Sequence, residues 1–105
     1  MSNINTVTDH LAIAPSGITI LRTPAVLRRR GRSRSSHFAD IKAGLFVRPV
    51  LIGLRSVGTP ENEVDALNAA RIAGKTDPEI RTLVTRLEKA RKTLDQHFYI
   101  EGETQ

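Results

Sequence analysis

Six arginines stand between positions 22 and 34: Arg22, Arg28, Arg29, Arg30, Arg32 and Arg34, with Ser33, Ser35 and Ser36 beside them. Guanidinium groups at this density suit the neutralisation of phosphates, because each cation held near a polyanion releases a condensed counterion. The hydroxyls of Ser33, Ser35 and Ser36 add partners for phosphate oxygens and base edges. His37 follows directly, and Lys42, Arg48 and Arg55 extend the basic character along the chain. Catalytic constellations are absent from this pattern. Without cysteine there is no thiol nucleophile, disulfide framework or zinc–thiolate site. His10, His37 and His97 lie far apart in sequence, so no metal-ligand spacing arises, and no glycine loop cradles phosphate. The chemistry expected is binding, with no enzyme activity, cofactor, metal or small-molecule ligand.

The charge is unevenly placed. Residues 1–58 hold nine basic side chains against Asp9 and Asp40, a balance of +7, whereas residues 59–105 hold seven basic and nine acidic, a balance of −2. Double-stranded DNA is the partner such a local field suits. At 105 residues, with 39% hydrophobic and four aromatic side chains, the chain has room for one domain with an aliphatic core. Its start lacks the basic and apolar regions of a signal peptide, and no apolar run approaches a membrane helix, so a bacterial cytoplasmic, nucleoid-associated location is expected.

Several elements must position these residues. Residues 1–16 are weakly patterned and read as an N-terminal arm, and Gly17–Leu21 as an edge strand or extended lead-in. Thr23-Pro24 forms a cap and first-turn proline for a helix through Arg30, with Val26 and Leu27 inward and Gly31 as its stop. Ser33 caps a second helix over residues 34–43, ended by Gly44, with Phe38 and Ile41 facing the core. Residues 46–57 read as a two-stranded hairpin turning around Ile52–Arg55, with the Pro49 strand at an edge. Thr59-Pro60-Glu61 opens a third helix, and Thr76-Asp77-Pro78-Glu79 a fourth. The fourth carries Ile80, Leu83, Val84, Leu87, Ala90, Leu94 and Phe98 at spacings of three and four, a stripe for domain packing or for pairing with a second copy around Ile80–Leu94. The fold expected is mainly α with a small β-hairpin wing: a domain over 17–74, a C-terminal amphipathic helix over 75–98 and a tail over 99–105.

The ordered series Ile20-Leu21-Arg22-Thr23-Pro24, Gly31-Arg32-Ser33-Arg34-Ser35-Ser36, Lys42-Ala43-Gly44-Leu45-Phe46-Val47-Arg48-Pro49-Val50, Leu51–Gly58, Glu63–Ala66 and Ala70–Gly74 resembles the AlpA family of prophage-type transcriptional regulators. The resemblance spans about residues 18–74. It implies a winged helix-turn-helix related to the MerR-like and excisionase folds, and a role in regulating integrase or other prophage genes or in excision. By position it implies that Ser33–Ser36 open the recognition helix, that Phe38 replaces the family's usual tyrosine, and that Arg55 is the wing arginine. His37, Ala39, Asp40, Thr59 and Leu67 depart from the family's residues at their positions, and an aspartate facing phosphates would oppose binding.

On this reading Arg34 contacts a guanine or a phosphate, and Ser35 a base edge or phosphate. Arg22, Arg28, Arg29, Arg30, Arg32 and Lys42 grip phosphates, as do Arg48 and Arg55 from the wing. His37 is left open between a groove contact, a metal ligand and a locally bonded, partly buried histidine. The functions compatible with this pattern are a promoter-binding regulator, an architectural excision factor that bends attachment-site DNA, and a protein-interaction adaptor.

Overall fold

Short-range signals set most of the helix ends. The computed structural model describes residues 17–96, so the arm over 1–16, the tail, His10, His97 and Phe98 lie outside the described residues. In chain order the elements are β1 (Ile20–Leu21), α1 (Thr23–Arg30), α2 (Arg34–Lys42), β2 (Val50–Leu51), β3 (Val57–Pro60), α3 (Glu61–Ile72) and α4 (Asp77–Ala90). A 3-10 turn at Arg91–Thr93 follows α4. The described part is mainly helical with a small antiparallel sheet. Arg22 occupies the cap position of α1 without a side-chain bond, so Thr23 is the first helical residue rather than its cap. Gly31 ends α1 at φ 67°, a conformation that costs glycine little, and its N–H donates to the Leu27 and Arg28 carbonyls.

Ser33 then caps α2, its Oγ accepting from the Ser36 N–H at 3.2 Å. At the far end of α2 the Arg81 Nε of α4 donates to the Ala43 carbonyl at 3.0 Å, placing a cation where the helix dipole is negative. α4 opens with a capping box, in which Thr76 and Glu79 each bond the other's backbone N–H.

The sheet has three strands, in the order β1-β3-β2: the expected hairpin is joined by β1, which lies in the Gly17–Leu21 segment read as an edge strand or extended lead-in. β3 pairs antiparallel with β2 through Val50↔Gly58 and Leu51↔Val57, and with β1 through Ile20↔Pro60 and Leu21↔Thr59. The third strand corrects the expected start of α3. Thr59 and Pro60 belong to the ladder, so Pro60 is the helix cap and Glu61 the first helical residue. The Glu61 N–H donates to the Thr19 carbonyl at 2.8 Å, which prolongs the β1 contact into the helix.

Gly58 allows this close crossing. A Cβ there would lie 2.3 Å from Ile20 Cγ2 and 3.1 Å from the Leu21 carbonyl oxygen. Gly58→Ala is therefore expected to cost about 1–3 kcal/mol as overpacking, and adding Ile20→Ala should restore part of the loss. Urea unfolding of the single and double variants checks this; a single variant as stable as the parent would refute the crowding.

One core joins α1, α3 and α4 with the segment after α2: Val26, Phe46, Val47, Val64, Leu67, Ile80 and Val84, and α2 adds the half-buried Ile41 at its edge. The α4 stripe is thus used in packing against its own domain, and its inner positions are not open to a second copy. The same packing makes α4 part of the domain rather than an appendage. Phe46 and Val47 are buried instead of lying in a wing strand, so the hairpin proper begins at Val50. Among the described residues no helix is long and apolar enough to cross a membrane.

Candidate nucleic-acid interface

The outward face of α2 is built by helical geometry. At about 100° per residue, Arg34, Phe38 and Lys42 fall nearly in line, with Ser35 and Ala39 alongside. All five are exposed, while His37 and Asp40 are buried and Ser36 and Ile41 half-buried. This reverses one expectation: Phe38 does not face the core but is 45% exposed. His37 takes the inward position, stacking edge-on against Phe46 at 5.1 Å and against Phe38 at 5.2 Å.

Beneath that face lies a buried polar cluster. The Arg30 guanidinium sits 4.0 Å from the Phe46 ring centroid, a cation–π contact, and its side chain is 7% exposed. Arg30 Nη2 donates to Asp40 Oδ2 at 2.8 Å, and Nη1 lies 2.8 Å from His37 Nδ1. Since a guanidinium only donates, Nδ1 accepts, which places the proton of neutral His37 on Nε2. Arg32 completes the cluster with a bidentate pair, Nε to Asp40 Oδ2 at 3.0 Å and Nη2 to Oδ1 at 2.9 Å. Burial disfavours the charged forms here. It lowers the pKa of His37, assisted by the neighbouring Arg30, and lowers that of Arg30 against the pull of Asp40. Burial alone would raise Asp40, but hydrogen bonds from Arg30 and Arg32 outweigh it and hold the carboxyl below its ordinary value.

The structure therefore divides the nine cations singled out in the sequence. Arg30 is a buried structural residue, not a phosphate contact, and its charge is engaged by Asp40. Arg32, half-exposed, is committed to the same carboxylate. Arg29 joins α1 to α3 through Glu61 at 2.9 Å and Asp65 at 3.1 Å. Arg48 lies 3.7 Å from Glu88, although its side chain remains largely exposed. Within the run from Arg28 to Arg32, Arg28 is the arginine without an ion pair among the described residues. Arg22, Arg28, Arg34, Lys42 and Arg55 are exposed and form no ion pair among the described residues.

Ser33 is engaged as a helix cap, Ser35 is exposed and Ser36 half-buried. His37 is only 3% exposed, which removes it as a groove contact and leaves the locally bonded histidine of the sequence reading. Asp40, expected to oppose phosphates, points inward and carries its own counter-ions. Its signal was present in the sequence: positions 37, 40 and 41 share a helix side, and two of them are polar. No group of three or more metal-ligating side chains occurs among the described residues.

The base of the hairpin is held from α4 and the turn beyond it. The Arg48 N–H donates to Glu88 Oε2 at 2.8 Å, and Arg91 Nη2 donates to the Arg48 carbonyl at 2.8 Å. Arg91 also clamps Glu63 of α3, with Nη2 2.6 Å from Oε1. Sequence spacing carries no signal for these long-range contacts. Compared with known proteins, the chain matches no family model, no curated protein and no solved structure.

Proposed function

We propose that this chain is a DNA-binding regulator of prophage or integrative-element genes, with α1, α2 and the β2–β3 hairpin acting as a winged helix-turn-helix. One observation carries the reading: α2 presents a continuous exposed face of Arg34, Ser35, Phe38, Ala39 and Lys42, free of carboxylates. The major groove accepts one α-helix, and these side chains match its chemistry. Arg34, in the first turn, suits the two acceptors of a guanine edge. Phe38 and Ala39 suit the methyl group of thymine, a contact that the sequence alone had hidden by assigning Phe38 to the core. Lys42, Arg22, Arg28 and Arg55 supply phosphate contacts that set affinity and register. The resemblance to AlpA regulators over residues 18–74 supports the same role and suggests the genetic context.

Selection of duplexes from a randomised pool, followed by gel-shift titration, tests the proposal. Arg34→Ala is expected to weaken the preferred duplex by about 10–100-fold and to relax preference at one base pair, whereas Lys42→Ala should weaken all duplexes alike. If Arg22, Arg28, Lys42 and Arg55 each meet a phosphate, log K should fall with log salt at a slope of about −3.6. An Arg34→Ala protein with unchanged affinity and preference would refute the assignment of α2.

A further inference from the structure

The hairpin tip carries apolar side chains that the α2 face does not explain. Of the seven large hydrophobics that stand exposed among the described residues, five lie in or beside the small sheet: Ile18, Ile20, Leu51, Ile52 and Leu54. Isolated exposed leucines are ordinary, but a cluster of this kind marks a surface that meets a partner. Leu54 is 94% exposed and Leu51 75% exposed, at the tip and shoulder of the hairpin. Ile52 behaves differently, being only 41% exposed and reaching back over Gly58, toward which Ile20 also projects. The turn is braced by a bond from the Ile52 N–H to the Ser56 carbonyl at 2.8 Å. Leu54 therefore projects from a closed turn rather than from a loose loop.

The charge around the tip identifies its partner. Between Asp40 and Glu61 the chain has no carboxylate, and its charged residues there are Lys42, Arg48 and Arg55. Arg55 adjoins Leu54, is exposed, and forms no ion pair among the described residues. A projecting leucine next to an unpaired arginine fits the DNA minor groove, whose negative potential draws arginine and whose base steps admit apolar wedges.

We infer that the hairpin tip is a minor-groove wedge: Leu54 inserts at a base step and partly unstacks it, while Arg55 lies at the groove mouth beside it, where it keeps its contact with a flanking phosphate. The inference rests on the DNA-binding reading above and deepens it, since a wedge kinks the duplex. Leu51 lies against the sugar edges flanking the opened step. The surface is thereby specific to deformable steps and not to a hydrogen-bond pattern.

The experiment reads binding and bending separately. Gel shift on a mixed-sequence duplex of about 100 bp measures binding, and ligase-catalysed ring closure of the same duplex measures bending, because that length is shorter than the persistence length of DNA. The parent protein is expected to speed ring closure about tenfold, and Leu54→Ser to return it close to the bare-DNA rate. Leu54→Ser should keep its melting temperature, because the side chain packs on nothing in the free protein, so a loss of ring closure is not a loss of fold. A parent that retards the duplex but leaves ring closure unchanged overturns the wedge alone. So does Leu54→Ser that closes rings as fast as the parent. A parent that fails to retard any duplex overturns the DNA-binding reading and the wedge with it. Sedimentation adds one further outcome: a parent dimer that Leu54→Ser converts to a monomer, with ring closure unaffected, makes the tip an interface between copies and overturns the wedge.

Discussion

Replacing Asp40 by alanine is expected to destabilise the domain by about 3–5 kcal/mol, a large share of the roughly 5–15 kcal/mol that holds most domains folded. The cost comes from what remains. Arg30, 7% exposed at its side chain, would keep its charge above the Phe46 ring without its carboxylate partner. Arg32 would lose both bonds but could turn to water, since its side chain is 44% exposed. The damage should therefore follow Arg30. Arg30→Met combined with Asp40→Leu should recover most of the stability, because replacing both charges by apolar groups removes the desolvation cost as well as the attraction.

The same residue sets part of the acid response. Folded Asp40 has a pKa below its ordinary 3.8, so at falling pH the unfolded chain takes the proton first. Its stabilisation is complete well above 3.8 and is lost as pH falls through the lower folded value. Urea titrations at neutral pH and at a series of acid values check both claims. A parent and an Asp40→Ala protein with equal midpoints at neutral pH would show that the cluster does not support the fold.

Glu63→Ala is expected to be of similar size, about 3–5 kcal/mol, and to have a consequence at a distance. The Glu63 side chain is 5% exposed and accepts three contacts from Arg91, at 3.2, 3.0 and 2.6 Å. Arg91 is 19% exposed and spends another donor on the Arg48 carbonyl. Removing Glu63 leaves Arg91 partly buried without its partner and frees it from α3. The base of the hairpin then keeps the Arg48 N–H bond to Glu88, while the Arg91 bond to the Arg48 carbonyl loses the carboxylate that holds its guanidinium in place.

Amide hydrogen exchange should detect the change first around Arg48–Val50, with faster exchange there than in α1. Glu63→Gln, which keeps the acceptor oxygen and the volume, should lose less. A Glu63→Ala protein within about 1 kcal/mol of the parent, with the hairpin equally protected, would show that the clamp is incidental. If the hairpin is the wing of a DNA-binding domain, its loosening should also reduce bending more than binding.

Much of the helical framework was legible in the sequence because its signals act over a few residues. Ser33 caps α2, Gly31 takes the left-handed conformation that ends α1, and Thr76 with Glu79 forms the box that opens α4. Each needs no partner beyond its own turn. The α4 stripe was also legible as a stripe, but what covers it was not, since domain packing and pairing of copies demand the same periodicity. The structure spends Ile80 and Val84 on the core.

The concentration of basic charge over Arg22–Arg34 is legible in the sequence, but which of these side chains are engaged by carboxylates is not. Residue type and local spacing determined that the arginines, serines and two short helices would lie together. Which cations remain free was decided only by tertiary structure. Asp40 reaches Arg30 and Arg32 across the turn, and Glu61 and Asp65 reach Arg29 from another helix, so four of the nine candidate cations are paired, Arg48 with Glu88 included. The inward turn of His37 and outward turn of Phe38 have the same origin, because Phe46 and Arg30 occupy the space that an apolar core residue would have filled. Helix periodicity determines which side chains share a face. Which face is buried depends on residues distant in sequence that must first fold against it.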